Sequence, residues 1–514
     1  MEKNLRKNLL VVLIITIAIS FRFLLEFVFN ILWDVYDISS IIGFVIRTLF
    51  VLIFVIIWLG ITLRSGSPHN KLPWLLILTF EPVLGITLFL TFGRSFQNSF
   101  RFRKRPLMKN GQYITQEVPP GTLDDKMNAY SPWIKNLTKN IHHATHHQAF
   151  INDTQVDVLK NGEKFYPELK KAIQSAESFI LFEFFILRHD QRSQEIVNLL
   201  IEKANQGIEV KMIIDALGSA RTKRKFLKRI KDNHIDLIIN DKIYFPLFNT
   251  RINYRNHRKI VVIDGHTGFT GGMNIANEYD NSIEYTYYFR DTQLKLKGSA
   301  VKSLTALFFK DYYYNTNQFI NDEKYYPEVS QTSKGLTQII QSGPDSSYAH
   351  IRNFYLKMIY NAEKSIKIMT PYMALDHETL TALQTAAQSG IQVDIIIPGI
   401  PDKYIVYKVT KSFVGSLLDA GVRVYHYDPG FCHAKILIID EVVASVGSYN
   451  LDNRSAVIDF EVTTLLVDHG VSEINMQFET DKNASSKIDK AVWDNRPYFS
   501  RFLEGIMSIF TPII

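Results

Sequence analysis

Two short stretches place residues that can do covalent chemistry at one shared spacing. They are Asn256-His257-Arg258-Lys259-Ile260-Val261-Val262-Ile263-Asp264 and Cys432-His433-Ala434-Lys435-Ile436-Leu437-Ile438-Ile439-Asp440. In each, His and Lys stand two apart at the start of an apolar run. Period-two alternation sends both side chains to one face of a strand. His257 with Lys259, and His433 with Lys435, can therefore converge on one ligand. Imidazoles serve as nucleophile or acid and base, and ammonium groups clamp an anion. Asp264 and Asp440 complete the two motifs and are counted with them among the catalytic set. Their odd offset and the Asp264-Gly265 turn dipeptide assign them a structural role rather than a substrate contact.

Small polar residues follow each motif: Thr270-Gly271-Gly272-Met273-Asn274 in the first, Gly447-Ser448-Tyr449-Asn450 in the second. Glycines let a backbone approach a ligand closely. Asn274, Ser448 and Asn450 offer donors suited to phosphate oxygens. An acid comes later in each copy, Asp291 and Glu461, and either can hold a His ring in its working tautomer. The pairs His142-His143 and His146-His147 sit at helical spacing and read as an exposed helix face, not as metal ligands. No metal and no cofactor is called for.

The elements that must carry these residues also come twice. Ala176-Glu177-Ser178-Phe179-Ile180 pairs with Ala362-Glu363-Lys364-Ser365-Ile366, and Gly207–Ile214 pairs with Gly390–Ile397. Landmarks in one order mean two copies of one domain. Each copy predicts a helix (Pro167–Ala176, Asn353–Ala362), an apolar strand (Phe179–Ile186, Ser365–Met369), a second helix (Ser193–Asn205, His377–Gln388) and another apolar strand. Runs apolar at successive positions are buried on both faces, as in an α/β sheet flanked by helices. Residues 111–325 and 326–514 are the two domains, and 1–110 precede them.

The whole chain has 514 residues, 46% apolar and 21% charged, with 25 Gly and one Cys. That excludes wholesale disorder, a collagen-like chain and a disulfide scaffold. The net charge of +7 suits an anionic partner, either nucleic acid or an anionic membrane surface. The apolar residues crowd the first hundred positions. Segments Leu9–Trp33, Ile41–Leu63 and Pro73–Phe92 are each long enough for about 30 Å of hydrocarbon, the last interrupted by Glu81-Pro82. Pro82 and Gly85 would ease a break there. Arg94–Lys109 is rich in Arg and Lys and contains no acid, which reads as inside and as a patch for anionic head groups. Residues 1–110 thus form a multi-pass anchor with two or three crossings, and the catalytic part faces the cytoplasm. These anchors argue against nucleic acid as the partner.

The paired His-x-Lys-x4-Asp motifs, with Gly-Gly-Met-Asn after the first and Gly-Ser-Tyr-Asn after the second, resemble the phospholipase D superfamily. Arg255–Ile260, Gly271–Ile275, Glu278-Tyr279, Gly447–Ser455 and the closing Phe92-Gly93-Arg94 are similar to the bacterial cardiolipin synthases. The resemblance implies two tandem phospholipase D-like α/β domains sharing one active site behind transmembrane helices. It implies transfer of a phosphatidyl group between two phosphatidylglycerol molecules, through a phosphatidyl-histidine. His257 is then the nucleophile, His433 the acid and base, and Lys259, Lys435, Asn274, Ser448 and Asn450 hold the phosphate. Asp459, Gln293 and Asn277 depart from the family pattern and bear on the acceptor. A hydrolase with the same motif, a synthase with another acceptor lipid and an inactive lipid-binding scaffold are the alternatives.

Overall fold

The computed structural model describes residues 41–63, 68–92, 126–242, 254–329, 333–346, 348–509 and 511. The chain divides into two compact units at Phe89/Leu90. The Leu9–Trp33 segment and the basic run Arg94–Lys109 lie outside the described residues.

The first unit contains helices Ile41–Thr62 and Pro68–Phe80 and all but the last three residues of Pro82–Phe92. The break falls at Pro82, which has no N–H to continue the helix. Gly85 permits the tight approach beside it, since a Cβ there would lie 2.7 Å from the Leu78 Cα. Leu49, Val51, Leu52, Val55, Ile56, Val83 and Leu84 are exposed. Described side chains within Ile41–Thr62 begin at Thr48. Among the described residues no helix is long and apolar enough to cross a membrane.

The second unit holds two sheets of one design. The first runs Thr154–Lys160, Thr292–Gly298, Thr267–Gly271, Ile260–Ile263, Phe179–Phe184, Glu209–Asp215, Asp236–Asn240. The second repeats that order as Leu336–Ser342, Glu461–Val467, Val443–Gly447, Ile436–Ile439, Ser365–Met369, Gln392–Pro398, Arg423–Tyr427. In both, the last three strands are parallel and the others antiparallel. The second sheet gains one short strand at each edge, Ala149–Ile151 and Ser485–Lys487. The first edge strand comes from residues ahead of the first repeat, so the two domains interlock in sequence.

Alternation along the motif strands sorts their side chains between cores. Ile260 and Val262 join Ile436 and Ile438 in a shared apolar cluster. Val261 and Ile263 face the first repeat's own helices, and Leu437 and Ile439 face those of the second. Helices Val301–Thr316 and Val471–Asn483 contribute to the shared cluster, so both faces of each sheet are covered. The outer helices start at matching caps. Asp190 accepts from Ser193 N–H for Gln191–Asn205, and Asp376 accepts from Thr379 N–H for His377–Gln388. The helix anticipated from Pro167 in fact begins at Asn161 and carries Pro167 inside it. Its counterpart runs His350–Tyr360, and the apolar strand after the first helix stops at Phe184.

Candidate active site

The two motif strands begin at Ile260 and Ile436, one residue after each Lys. The segments just ahead of them lie against the other repeat. Asn256 bridges to Phe460, and His257 N–H donates to Phe460 O at 2.9 Å. Symmetrically, Gly430–Cys432 pairs in parallel with Tyr288–Arg290, and His433 N–H donates to Arg290 O at 2.7 Å. Phe460 and Arg290 immediately precede Glu461 and Asp291. Each backbone contact therefore delivers an acid to the opposite histidine. His257 Nδ1 lies 3.0 Å from Glu461 Oε1, and His433 Nδ1 lies 2.6 Å from Asp291 Oδ2.

Burial, and then the charges of Lys259 and Lys435, hold both imidazoles well below the usual histidine range. Each ring is neutral at pH 7. Its Nδ1–H donates to the carboxylate, and Nε2 keeps its lone pair. Burial pushes Asp291 up to about 6 and Glu461 up to about 7, with the lysines opposing. Burial also brings Lys259 down to about 7 and Lys435 down to about 8. Each ammonium donates to the carbonyl of its own motif histidine, and Lys435 Nζ is 3.0 Å from His433 Nδ1.

Other anticipated residues divide. Ser448 Oγ donates to the Glu461 carboxylate and accepts from Val462 N–H. It braces the acid that orients His257. The Asn274 amide accepts from Ile186 N–H at 3.1 Å and donates to Tyr279 Oη at 2.8 Å, leaving one N–H for a ligand. The buried Asn450 amide oxygen has no partner among the described residues. An acceptor there suits a hydroxyl donor better than a phosphate oxygen. Counting Asp264 and Asp440 as catalytic is corrected. Asp264 accepts from the N–H groups of Glu177, Ser178 and Phe179, and Asp440 from those of Glu363, Lys364 and Ser365. Both tie the start of a neighbouring strand, at the strand ends away from the histidines. The glycines also act differently from expectation. A Cβ on Gly272 would lie 2.1 Å from Asp291 Oδ1, and one on Gly447 2.3 Å from Val462 O. Gly272 makes room for the Asp291 carboxylate, and Gly447 for the backbone of the neighbouring strand.

Of the three departures, Gln293 Oε1 accepts from Met273 N–H and Asn277 Oδ1 accepts from Arg192 N–H. Both satisfy backbone N–H groups of the first repeat, Asn277 at the start of helix Gln191–Asn205. Asp459 pairs with Arg454 at 3.0 Å, and burial pushes it up to about 7. His142 and His143 are exposed, while His147 is buried.

Sequence reasoning missed the aromatic walls. Phe185 meets His257 edge to face at 5.0 Å, with Lys259 Nζ 5.7 Å from the same ring. Tyr279 and Phe289 each lie 5.5 Å from the His433 ring, and Phe431 lies at 6.1 Å. It missed the brace under the first motif as well. The Asn256 amide donates to Glu183, and Arg258 grips Asp311 with two contacts of 2.5 Å. The polar residues flanking His257 were the available signal. Together the arrangement offers two buried imidazoles, each held at Nδ1 by an acid, beside two buried lysines and aromatic walls.

Residues 169–296 and 355–482 each match the family model described as cardiolipin synthase, PLD-like domain. A cardiolipin synthase of Staphylococcus aureus is 36% identical over 462 residues, covering 88% of this chain and 93% of that one. One from Alkalihalophilus pseudofirmus is 34% identical over 464 residues, covering 89% and 92%. Among solved structures, the phosphatidylserine synthase of Haemophilus influenzae superposes with a TM-score of 0.57 at 14% identity, covering 74% of this chain and 99% of that one. At that identity the fold alone is shared. The two matched spans are the two repeats, and the chain belongs to the cardiolipin synthase family of phospholipase D-like proteins.

Proposed function

We propose that the chain transfers the phosphatidyl group of one phosphatidylglycerol to a hydroxyl of a second, giving cardiolipin and releasing glycerol. The observation that carries this reading is the crossed pair of His–carboxylate contacts, which leaves two Nε2 atoms available in one site. Two imidazoles suit a two-step transfer, since one can carry the group while the other moves the proton.

In the first step the His257 Nε2 lone pair attacks phosphorus. The bond from phosphorus to the glycerol oxygen breaks, and His433, as imidazolium, protonates that oxygen. In the second step neutral His433 takes the proton of the incoming hydroxyl. Its oxygen attacks phosphorus, and the N–P bond to His257 breaks. His433 must therefore be charged when substrate is bound. The phosphodiester anion favours that charge, because burial and then the charges of Lys435 and Lys259 hold the ring neutral without it, and a bound anion offsets the lysines. Lys259 and Lys435 lie over the non-bridging oxygens. The buried site withholds water, which would otherwise release phosphatidic acid.

The first unit is the membrane anchor, and the exposed Leu and Val side chains of its helices face lipid. The basic run Arg94–Lys109 holds anionic head groups on the cytoplasmic side. Partners are phosphatidylglycerol and anionic lipids, with no cofactor and no metal. Gln293 and Asn277 accept from backbone N–H groups of the first repeat, which fits a role in the fold rather than in choosing the acceptor.

The test is mass spectrometry of lipids after incubating the purified, reconstituted protein with phosphatidylglycerol alone, beside His257→Ala. Cardiolipin plus glycerol, absent in the variant, is the expected result. Phosphatidic acid without cardiolipin would replace the synthase with a hydrolase.

A further inference from the structure

Residues 221–232, which contain the helix Arg224–Asp232, run against the rules that stabilise a helix. Seven of these twelve residues are Lys or Arg and one is Asp, so the segment carries +6 of the chain's +7. The first turn holds Arg224 and Lys225 and no acid, and Lys223 at the N-cap offers no side-chain cap. Cations at that end oppose the helix dipole, and only Arg229 and Lys231 in the last turn suit it. Arg224 with Lys228, and Lys225 with Arg229, repeat one charge at i, i+4, which destabilises a helix. Burial of Phe226 and Ile230 in the first repeat's core holds the element in place.

All seven cations are exposed, and among the described residues none forms an ion pair. Arg229 donates to Asn198 Oδ1 at 2.6 Å, which joins the segment to the helix Gln191–Asn205. That helix brings two acids, Glu195, whose carboxylate is taken by Lys170 and Arg192, and the exposed Glu202. Asp236, on the strand that follows, accepts from Tyr312 Oη at 2.7 Å. Counted with Asp232, these acids number four against the seven cations. The fold does not call for such charge. The equivalent helix of the second repeat, Tyr404–Asp419, has two lysines, Lys408 and Lys411, and both lie over aromatic rings.

We propose that residues 221–232 dock the catalytic unit on the surface of an anionic phospholipid bilayer. The proposal rests on the lipid-transferase reading. Exposed cations that weaken their own helix and meet no acid of the protein are matched to an external polyanion. Attachment to the site selects which polyanion. Ser219 Oγ donates to Phe185 O at 3.3 Å and accepts from Leu187 N–H at 3.0 Å, and Thr222 Oγ1 donates to Leu187 O. Phe185 is the ring packed on His257. The segment is thus fastened to the wall of a site whose substrate is an anionic lipid, and the surface it meets is the one that supplies that lipid. The contact is made by the second unit and is separate from the N-terminal anchor.

The experiment uses the full chain in nanodiscs. Ala220→Cys, exposed beside the segment, carries a fluorophore, and the lipid head groups carry a short-range nitroxide quencher. The native Cys432 is fully buried, so the label goes to position 220. Val442→Cys, exposed in the turn after Asp440, is the control. The expected result is quenching at 220, stronger in phosphatidylglycerol discs than in neutral phosphatidylcholine discs, with position 442 unquenched. In Lys225→Gln/Lys228→Gln the ratio of docked to free protein should fall about tenfold or more, since each cation near an anionic surface is worth about fivefold. Gln matches Lys as a helix former, so the helix persists. Absence of quenching at 220 overturns the proposal, as does quenching that is equal in the two kinds of disc or unchanged in the double variant. Tight binding of a labelled DNA duplex in neutral discs, lost in the same variant, would make nucleic acid the partner and overturn it too. Quenching is read without turnover, so failed docking and failed transferase activity are told apart.

Discussion

Glu461 stands 204 residues beyond His257 in the chain, yet its carboxylate lies 3.0 Å from that ring's Nδ1. Glu461→Gln removes the acceptor that fixes the tautomer. Turnover should fall about a thousandfold or more, with phosphatidylglycerol KM changed far less. Asp291→Asn should do the same through His433. Steady-state rates on vesicles check both. A loss confined to KM would mean that the acids shape the binding site rather than orient the rings.

Gly272→Ala should resemble Asp291→Asn in activity. A Cβ at that position meets the Asp291 carboxylate at 2.1 Å, so the acid must leave His433. Rates measured beside a melting curve decide the point. Full activity with a normal melting temperature would show that the turn yields instead.

Asp264→Ala should act on stability and spare the chemistry. Three backbone N–H groups lose their acceptor, at roughly 2–4 kcal/mol in total. The measurement is denaturant unfolding, with activity normalised to folded protein. A large drop in activity per folded molecule would return Asp264 to the catalytic set.

These outcomes bear on how far the residues spoke for themselves. Motif spacing exposed the repeat, both His–Lys pairs and the two later acids, because strand periodicity and chemical type are local properties. The crossing was not legible. Asp291 follows the first motif and Glu461 the second, so proximity in the chain suggests pairing within a repeat. Only the Asn256–Phe460 and Cys432–Arg290 backbone contacts reverse it. The glycines look like ligand-facing positions in sequence, since a missing Cβ carries no label for what approaches it. The first helix starts at Asn161, six residues ahead of the anticipated Pro167.

Stability should depend on pH through the site acids. Glu461 is raised to about 7 from an ordinary value of 4.5, so the folded state binds its proton more tightly than the unfolded chain does. That contribution is complete below about pH 4.5 and is lost as pH rises through 7. Glu461→Gln has no such proton to lose. The melting temperature of the variant relative to the parent should therefore climb between pH 5 and 8. A flat difference would mean that Glu461 titrates normally.

Activity should decline on the alkaline side as Lys259 and Lys435, brought down to about 7 and about 8, lose their charges. The profile of kcat/KM reports the free enzyme and should fall across that range. Lys435→Arg keeps its charge and should move the limb upward while lowering the peak rate. A limb unmoved by that change would assign the decline to another group.

The crossed acids also impose an order on biosynthesis. The ribosome releases the His257 segment long before residue 461 exists. At about 5–20 residues per second, the 204 intervening residues take roughly 10–40 s. Throughout that interval the nascent first repeat carries a histidine without the carboxylate that aims it, and Asp291 waits for a His433 not yet made. Neither half by itself holds a complete pair of histidine and acid. Chemistry begins only when translation is nearly finished and both halves have closed on each other.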